Sequence, residues 1–335
     1  MLLLLLWSCG DDGTETTTED PTTSTTTTSA PTVTTPAAPV RLTSELLEPT
    51  LPWPQYGTTA ASVGDTIVIG GGLDGEKSST PVVWRFDPAT GETRNIARLP
   101  SETRDAAVGA IGDTVVIAGG AKGQTTFDRV VTVDLEGVFG EEGKLPAPRA
   151  DGWAVTAPDG ATVYVLGGYD GSQPTNEVLA TTDGRTFSAV ATMPVPLRNA
   201  TAAMLGRSIW VVGGDWSDQE QTGVYRIDLD ATVGPDGATS APAGNVVQVA
   251  TLPAPLTRAA AFTLGGSIFV AGGRSGGAPT DRILRIDALS GTVADAGTLP
   301  VPTSDAMVGV VGETAYLLGG QSPDASKAIV ALRAA

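Results

Sequence analysis

The sequence predicts an all-β fold assembled from six similar units, and three observations support this prediction. Glycine and proline are abundant, with 42 and 24 copies in 335 residues, and few residues other than alanine favour a helix. No long segment has the 3.6-residue apolar period of an amphipathic helix. A glycine pair after an apolar stretch recurs at a period of about 50 residues, which is typical of arrays of supersecondary units.

The glycine pair occurs six times, at 71–72, 119–120, 167–168, 213–214, 272–273 and 319–320. Successive pairs are 48, 48, 46, 59 and 47 residues apart. We predict structural roles for all twelve glycines, because a strand must end and the backbone must turn there in little space. They are Gly71, Gly72, Gly119, Gly120, Gly167, Gly168, Gly213, Gly214, Gly272, Gly273, Gly319 and Gly320.

Other features repeat in register with the glycine pair. A Leu-Pro or Met-Pro dipeptide stands 20 to 22 residues before each pair, as at Leu51-Pro52. An apolar stretch ending in aspartate follows several pairs, as in "VVWRFD" from Val82 and "RILRID" from Arg282. This pattern resembles the kelch repeat, and the resemblance covers nearly all of residues 40–335. The tryptophan of the family's outermost strand is missing here, since Ile96 and Val190 stand near that position.

The kelch resemblance implies a six-bladed β-propeller whose blades are four-stranded antiparallel sheets. In the first blade we predict strands near residues 58–63, 66–71, 82–87 and 93–99. The last repeat supplies only three strands, near 304–311, 314–319 and 328–333. We therefore predict that residues 40–51 provide the missing outer strand and close the ring.

The longest spacing marks an insertion at residues 230–245, which is polar and rich in turn formers. We predict that it extends the loop between the third and outer strands of the fourth blade. Asp228, Asp230 and Asp236 weakly suggest a calcium loop, but the EF-hand spacing is absent. No metal site is predicted.

The N-terminus predicts an anchor and a tether. Leu6-Trp7-Ser8-Cys9 resembles the lipobox of a bacterial lipoprotein, in which the cysteine is acylated, although no basic residue precedes the short leucine block. We therefore expect the start codon to lie upstream. Residues 1–9 would be a signal remnant and residues 10–39, rich in threonine, proline and acids, a disordered tether. The alternative is a stray cysteine in a disordered leader.

Composition excludes several functions. The formal net charge is −17, which argues against a nucleic-acid partner because phosphate binding needs a basic surface. The chain has no histidine and a single cysteine, Cys9. Histidine-dependent catalysis, histidine-ligated zinc and copper centres are therefore excluded. We predict no cofactor, a monomer, and membrane contact only through a lipid on Cys9.

In kelch propellers, one face of loops around the central channel usually carries binding, and the resemblance implies that face here. Arginines fall at similar points of four blade-to-blade loops, and aromatic and acidic residues lie nearby. The ligand-binding candidates are Arg104, Arg149, Arg198, Arg258, Tyr56, Tyr169, Trp216, Asp105 and Asp151. The arginines suit bidentate binding of anions. The alternative is that each arginine pairs with an acid such as Asp305 and supports the repeat.

The sequence is compatible with two functions. The first is a lipid-anchored extracytoplasmic binding module for a protein or a glycan. The second is a carbohydrate enzyme, because exported bacterial kelch propellers that interconvert the anomers of sialic acid share the implied architecture. A channel mouth with paired carboxylates and arginines would favour the enzyme, and a shallow face would favour the binding module. No catalytic residue is assigned from the sequence.

Overall fold

The computed structural model describes residues 41–229 and 244–335. The described residues contain 32 strands and no helix, so none of these segments could cross a membrane as a helix. Six antiparallel four-stranded sheets stand side by side, and their innermost strands surround a central channel. The predicted all-β, six-bladed propeller with four-stranded blades is confirmed.

Each blade runs from an innermost strand beside the channel to an outer strand. The innermost strands are Ala60–Val63, Ala107–Ile111, Trp153–Thr156, Thr201–Leu205, Ala260–Leu264 and Met307–Val311. The second strands are Thr66–Gly70, Thr114–Ala118, Val163–Leu166, Ser208–Val212, Ser267–Ala271 and Thr314–Leu318. The third strands are Thr80–Asp87, Arg129–Val133, Glu177–Thr181, Gly223–Asp228, Arg282–Ile286 and Ile329–Ala334. The outer strands are Glu92–Thr103, Gly143–Lys144, Ser188–Thr192, Asn245–Thr251, Val293–Thr298 and Leu42–Leu46.

Three short hairpins join second to third strands, and a fourth two-stranded ladder pairs the segment before the first blade with the loop after its second strand. They are Gln55–Tyr56 with Leu73–Asp74, Ala121–Lys122 with Thr125–Thr126, Asp215–Trp216 with Gln219–Glu220, and Arg274–Ser275 with Ala278–Pro279. All lie beside the starts of the innermost strands, at one end of the channel. This end is the loop face that the resemblance implied.

The hydrophobic core lies between neighbouring blades. The second strand Thr66–Gly70 is buried at every position because a blade covers it on each side. The outer strand Asn245–Thr251, by contrast, has no buried residue. Apolar runs therefore form the middle strands, whereas polar sequences are tolerated at the periphery.

The ring closes in the sixth blade, as predicted. Leu42–Leu46 pairs antiparallel with Ile329–Ala334, with Leu42 opposite Ala334. Leu51 is 1% exposed and its N–H donates to the carbonyl of Lys327 at 2.8 Å. The last blade therefore consists of one N-terminal and three C-terminal strands.

The glycine pairs form the contacts from blade to blade. The N–H of Gly72 donates to the carbonyl of Thr103, in the segment leading into the second blade, at 2.8 Å. A Cβ at Gly71 would overlap that same oxygen, and both glycines have positive φ. Only glycine combines this backbone with so close an approach. The other five second glycines donate at 2.7–2.9 Å to the carbonyls of Arg149, Leu197, Leu256, Thr303 and Gln55.

The insertion begins after the third strand of the fourth blade and ends at its outer strand. Gly223–Asp228 and Asn245–Thr251 flank it, so Asn245 belongs to the strand and not to the insertion. Residues 230–243, including Asp230 and Asp236, lie outside the described residues, as do Cys9, the signal remnant and residues 10–39. Asp228 is engaged by Arg226 and by the hydroxyl of Ser208.

Candidate functional site

Six equivalent residues surround one end of the channel, immediately before the innermost strands. All six have left-handed backbone, with φ between 53° and 64°. At five of the six junctions, the N–H of this residue donates to the carbonyl of its counterpart in the preceding blade at 2.7–3.1 Å. We call this ring the polar mouth: it consists of Gly57, Asp105, Asp151, Asn199, Arg258 and Asp305.

A small cavity of about 50 Å³ lies within the polar mouth. Its wall includes the residues that directly follow the ring, which are small: Thr58, Ala106, Gly152, Ala200, Ala259 and Ala306. Trp153 is the one large apolar side chain among the residues that line it. Trp153 packs against a core cluster of blades three and four and against another between blades five and six. The indole therefore spans the channel.

Beyond Trp153 the channel contains a larger cavity, with a volume of about 780 Å³. We call this space the apolar chamber: its wall includes Ser62, Val108, Thr156, Met204, Thr263 and Val310, one from each blade. Trp153 also lines the apolar chamber. The indole thus separates the polar mouth from the chamber.

The charges of the polar mouth are unequally compensated. Arg104 forms an ion pair with Asp105, and Arg258 Nη1 lies 2.8 Å from Asp305 Oδ1. Ser304 donates to the second oxygen of Asp305 at 2.7 Å. The carboxylate of Asp151, in contrast, accepts no hydrogen bond from any side chain or backbone group in the described parts of the chain. Among the described residues, Asp151 is thus the one charged side chain of the polar mouth without a hydrogen-bonding or ion-pair partner.

Asp105 is the titratable group most affected by this arrangement. Burial, and next the charge of Asp151, raise the pKa of Asp105 to about 7, against the opposing effects of Arg104 and Arg258. Asp105 therefore exchanges a proton near neutral pH, where an ordinary aspartate is ionised. Burial opposes protonation of Arg258, but Asp305 and the two other aspartates prevail and raise the pKa of its guanidinium.

A hydrogen-bond network fixes Asn199. Its Nδ2 donates to Asp215 Oδ2 at 2.9 Å, and Thr257 Oγ1 donates to the same oxygen at 3.0 Å. This orientation leaves Oδ1 of Asn199 as an acceptor at the polar mouth. Sequence reasoning missed Asn199 and Asp215. The sequence signal for Asn199 was its position: in each repeat the mouth residue precedes a small residue and then the innermost strand, as in "RNAT" and "SDAM".

The four candidate arginines do not occupy one position. Arg258 belongs to the polar mouth. Arg104 and Arg198 each stand one residue before the mouth residue of their own loop. Arg149 stands two residues before Asp151, and its side chain is 1% exposed. Burial lowers the pKa of Arg149, which donates to the carbonyl of Gly167 at 2.8 Å and pairs with Glu177 at 3.0 Å. Arg149 therefore stabilises the junction of blades two and three and does not lie on the loop face.

The candidate aromatic residues also separate into two groups. The guanidinium of Arg198 lies 5.7 Å from the ring centre of Tyr169, and Trp216 is 42% exposed on a neighbouring hairpin. We call these three residues the aromatic rim. Tyr56 is buried instead, and burial followed by the charge of Asp305 raises its pKa. Tyr56 faces the carboxylates of the mouth from within, whereas the rim is open to a ligand.

The chemistry available at this face is acid–base and hydrogen-bonding chemistry. Within residues 41–229 and 244–335, no group of three or more histidines, cysteines or acids could hold a metal ion. Asp105, whose pKa is raised to about 7, stands in the same ring as the carboxyl group of Asp151. Arg258 and Arg104 supply further donors.

The fold and this face define the class of the protein as a six-bladed β-propeller with a polar channel mouth. The solved structure of YjhT is similar to this chain, with a TM-score of 0.68 and 16% sequence identity over 84% of this chain and 94% of that one. In total 1210 solved chains match, so the likeness shows the fold and leaves function to the site. No protein-family model and no curated protein matches the sequence.

Proposed function

We propose that this chain is a kelch-type propeller, held outside the cytoplasm by a lipid on Cys9, that binds a glycan at the polar mouth. The observation that carries the glycan assignment is the half-buried carboxylate of Asp151, which has no hydrogen-bonding or ion-pair partner among the described residues and stands beside Asp105, with Arg258 in the same ring. Sugar hydroxyl groups donate to carboxylates and accept from guanidinium groups. A glycan therefore matches both kinds of group in the polar mouth.

The size of the cavity supports an arrangement in which the sugar ring stays outside it. A cavity of about 50 Å³ holds one hydroxyl or hydroxymethyl group, since one water takes about 30 Å³ in the liquid. The rest of the sugar would lie on the aromatic rim, where Trp216 and Tyr169 present planar surfaces for stacking. A protein segment lacks the density of hydroxyl groups that this mouth can engage.

Binding can be tested with the full chain carrying Cys9→Ser, which removes the acylation candidate. A glycan array would select ligands, and calorimetry would measure their affinities. We expect Asp151→Asn to weaken binding at least tenfold, because a charge-assisted hydrogen bond is lost. Asp113→Asn, at an exposed turn at the far end of the blade, should leave the affinity unchanged. Equal affinities in both variants would reject the site, and binding of proteins alone would reject the glycan.

The raised pKa of Asp105 favours a second candidate function, the interconversion of sugar anomers. Asp151 would accept the proton of the anomeric hydroxyl group while protonated Asp105 gives its proton to the ring oxygen. The bond between the anomeric carbon and the ring oxygen breaks, and an open-chain carbonyl compound forms. The reverse steps on the other face of the carbonyl yield the opposite anomer and restore both protons. A sialic acid would place its carboxylate near Arg258 or Arg104.

Anomer exchange can be followed by NMR on freshly dissolved sialic acid. We expect a rate above that of buffer, with a bell-shaped pH dependence that declines above pH 7 as Asp105 loses its proton. Asp105→Asn should abolish the acceleration while a bound sugar is retained. A rate equal to buffer eliminates this enzyme function for that sugar and leaves the binding proposal intact.

The anchor needs its own experiment. Cells labelled with a palmitate analogue should incorporate the label into the wild-type chain and not into the Cys9→Ser variant, and only the former should sediment with membranes. Ser8→Ala is the matched control and should retain the label. Labelling of the Cys9→Ser chain would contradict the anchor.

A further inference from the structure

The apolar chamber is a second cavity, distinct from the polar mouth. Its volume of about 780 Å³ lies within the range of roughly 300–1,000 Å³ that small-molecule sites occupy. Among the described residues that line it, none is charged, although 17% of the chain is charged. This composition selects against an ionic ligand.

Three hydroxyl groups of the chamber wall take part in hydrogen bonds between blades. Ser62 Oγ accepts from the N–H of Val310 at 2.8 Å, and Thr156 Oγ1 accepts from the N–H of Ala110 at 3.0 Å. Thr263 donates to the carbonyl of Met204 at 2.8 Å. These bonds join neighbouring blades and hold the three hydroxyl groups at the wall, and Ser62 and Thr156, which only accept in them, can still donate to a ligand. A ligand would meet mainly methyl groups, the thioether of Met204 and the indole.

The shape of the chamber further restricts the ligands that it can hold. Trp153 closes one end, and the turns after the innermost strands, at Gly64, Gly112 and Gly160, border the other. Five extended residues span about 17 Å, which gives a mean cross-section of roughly 45 Å² for a volume of about 780 Å³. A flat ring system fits this space, whereas a folded peptide does not. The indole of Trp153 and the thioether of Met204 are both favourable partners for an aromatic ring.

We propose that the apolar chamber is a binding site for a small, uncharged, largely aromatic molecule that enters from the turn end of the channel. This site is independent of the glycan site, because Trp153 separates the two. Entry of the aromatic ligand does not require the loop face. The two ligands can therefore bind at the same time.

The test uses the neutral fluorescent probe N-phenyl-1-naphthylamine and the full chain carrying Cys9→Ser. We expect a saturable rise in fluorescence with one probe per chain. Met204→Lys and Val310→Lys, on different blades, should each weaken binding at least tenfold, because the probe would have to displace water from a charge. Met204→Leu preserves the apolar wall and should bind as the parent does. Leu289→Lys, on a fully exposed loop, controls for the added charge and should also bind as the parent does.

A second measurement does not depend on the lysine variants being folded. In the parent chain with ¹³C-methyl methionine, added naphthalene should shift the resonance of Met204, which the Met204→Leu variant identifies. The resonance of Met193, which does not line the chamber, should stay in place. An unmoved Met204 resonance would overturn the proposal, as would folded lysine variants with undiminished affinity. Equal weakening by Leu289→Lys would overturn it too.

Discussion

The two ends of the channel differ in chemistry although the same six blades build both. The polar mouth contains three aspartates and an arginine, whereas no charged residue among those described lines the apolar chamber. The mouth residues lie in left-handed loop positions held by backbone hydrogen bonds, and the side chains of Asp105 and Asp305 are buried in ion pairs with arginines. The chamber residues belong to strands whose side chains meet the neighbouring blade. In this ring, packing between blades constrains the residue types of the strands, whereas the loop position before each innermost strand can carry charged residues.

Removal of residues 40–51 should have the largest effect, because it opens the ring and affects both ends at once. The deletion loses the burial of Leu42 and Leu51 and one strand of hydrogen bonds. We expect a loss of at least about 4 kcal/mol, or roughly 10 °C in Tm, measured by calorimetry. Deletion of residues 10–39 is the control and should leave Tm unchanged. An unchanged Tm after removal of 40–51 would contradict closure by this strand.

Trp153→Ala should remove the separation between the two ends. We expect a destabilisation of about 2–3 kcal/mol, below the usual cost of a fully buried tryptophan because Trp153 is only partly buried. Water would reach Asp105 from the chamber, so the pKa of Asp105 should fall from about 7 towards its ordinary value. Urea unfolding and NMR titration of the carboxyl carbon measure the two effects. Trp216→Ala, on an exposed hairpin, should change neither by a comparable amount.

The polar mouth should make stability depend on pH in an unusual direction. Because the pKa of Asp105 is about 7 in the folded state and near 3.8 otherwise, the folded protein holds this proton more tightly. The resulting stabilisation is complete below about pH 4 and is lost as the pH rises through 7. Tm should therefore decrease between pH 5 and pH 8, and Asp105→Asn should reduce that decrease. A decrease of the same size in the variant would assign the effect to other groups.

Arg258→Asn should have the smallest effect and would show how strongly this arginine influences its neighbours. Arg258 lowers the pKa of Asp105, so its removal should raise that pKa. Asparagine accepts the left-handed backbone of this position readily. NMR titration of the Asp105 carboxyl carbon is the measurement. Arg94→Asn, on an exposed outer strand, should leave the titration unchanged.

The sequence predicted the repeat count, the blade order and the closing strand, because these follow from features that recur six times. In the first and last blades most predicted bounds differ by three residues or fewer, although the first outer strand continues to Thr103. The functional face was less predictable. Arg104, Arg149 and Arg258 look alike in spacing, but a shift of one or two residues places them beside the mouth, inside a blade junction and in the mouth itself. Since one or two residues in these loops decide whether a side chain lies in the polar mouth or in a blade junction, approximate repeat spacing cannot separate these cases.

Because the first and last strands pair in the sixth blade, the chain could follow the ring from a different starting point. The N–H of Ala335 donates to the carbonyl of Arg41 at 3.1 Å, so the two ends of the propeller lie side by side. A short glycine linker could join them, and the chain could then be opened at an exposed turn of another blade, such as Gly112-Asp113. The permuted protein would have every blade contact of the original. The order of the blades is therefore circular, and the ends of the chain could lie in any blade without changing the contacts between blades.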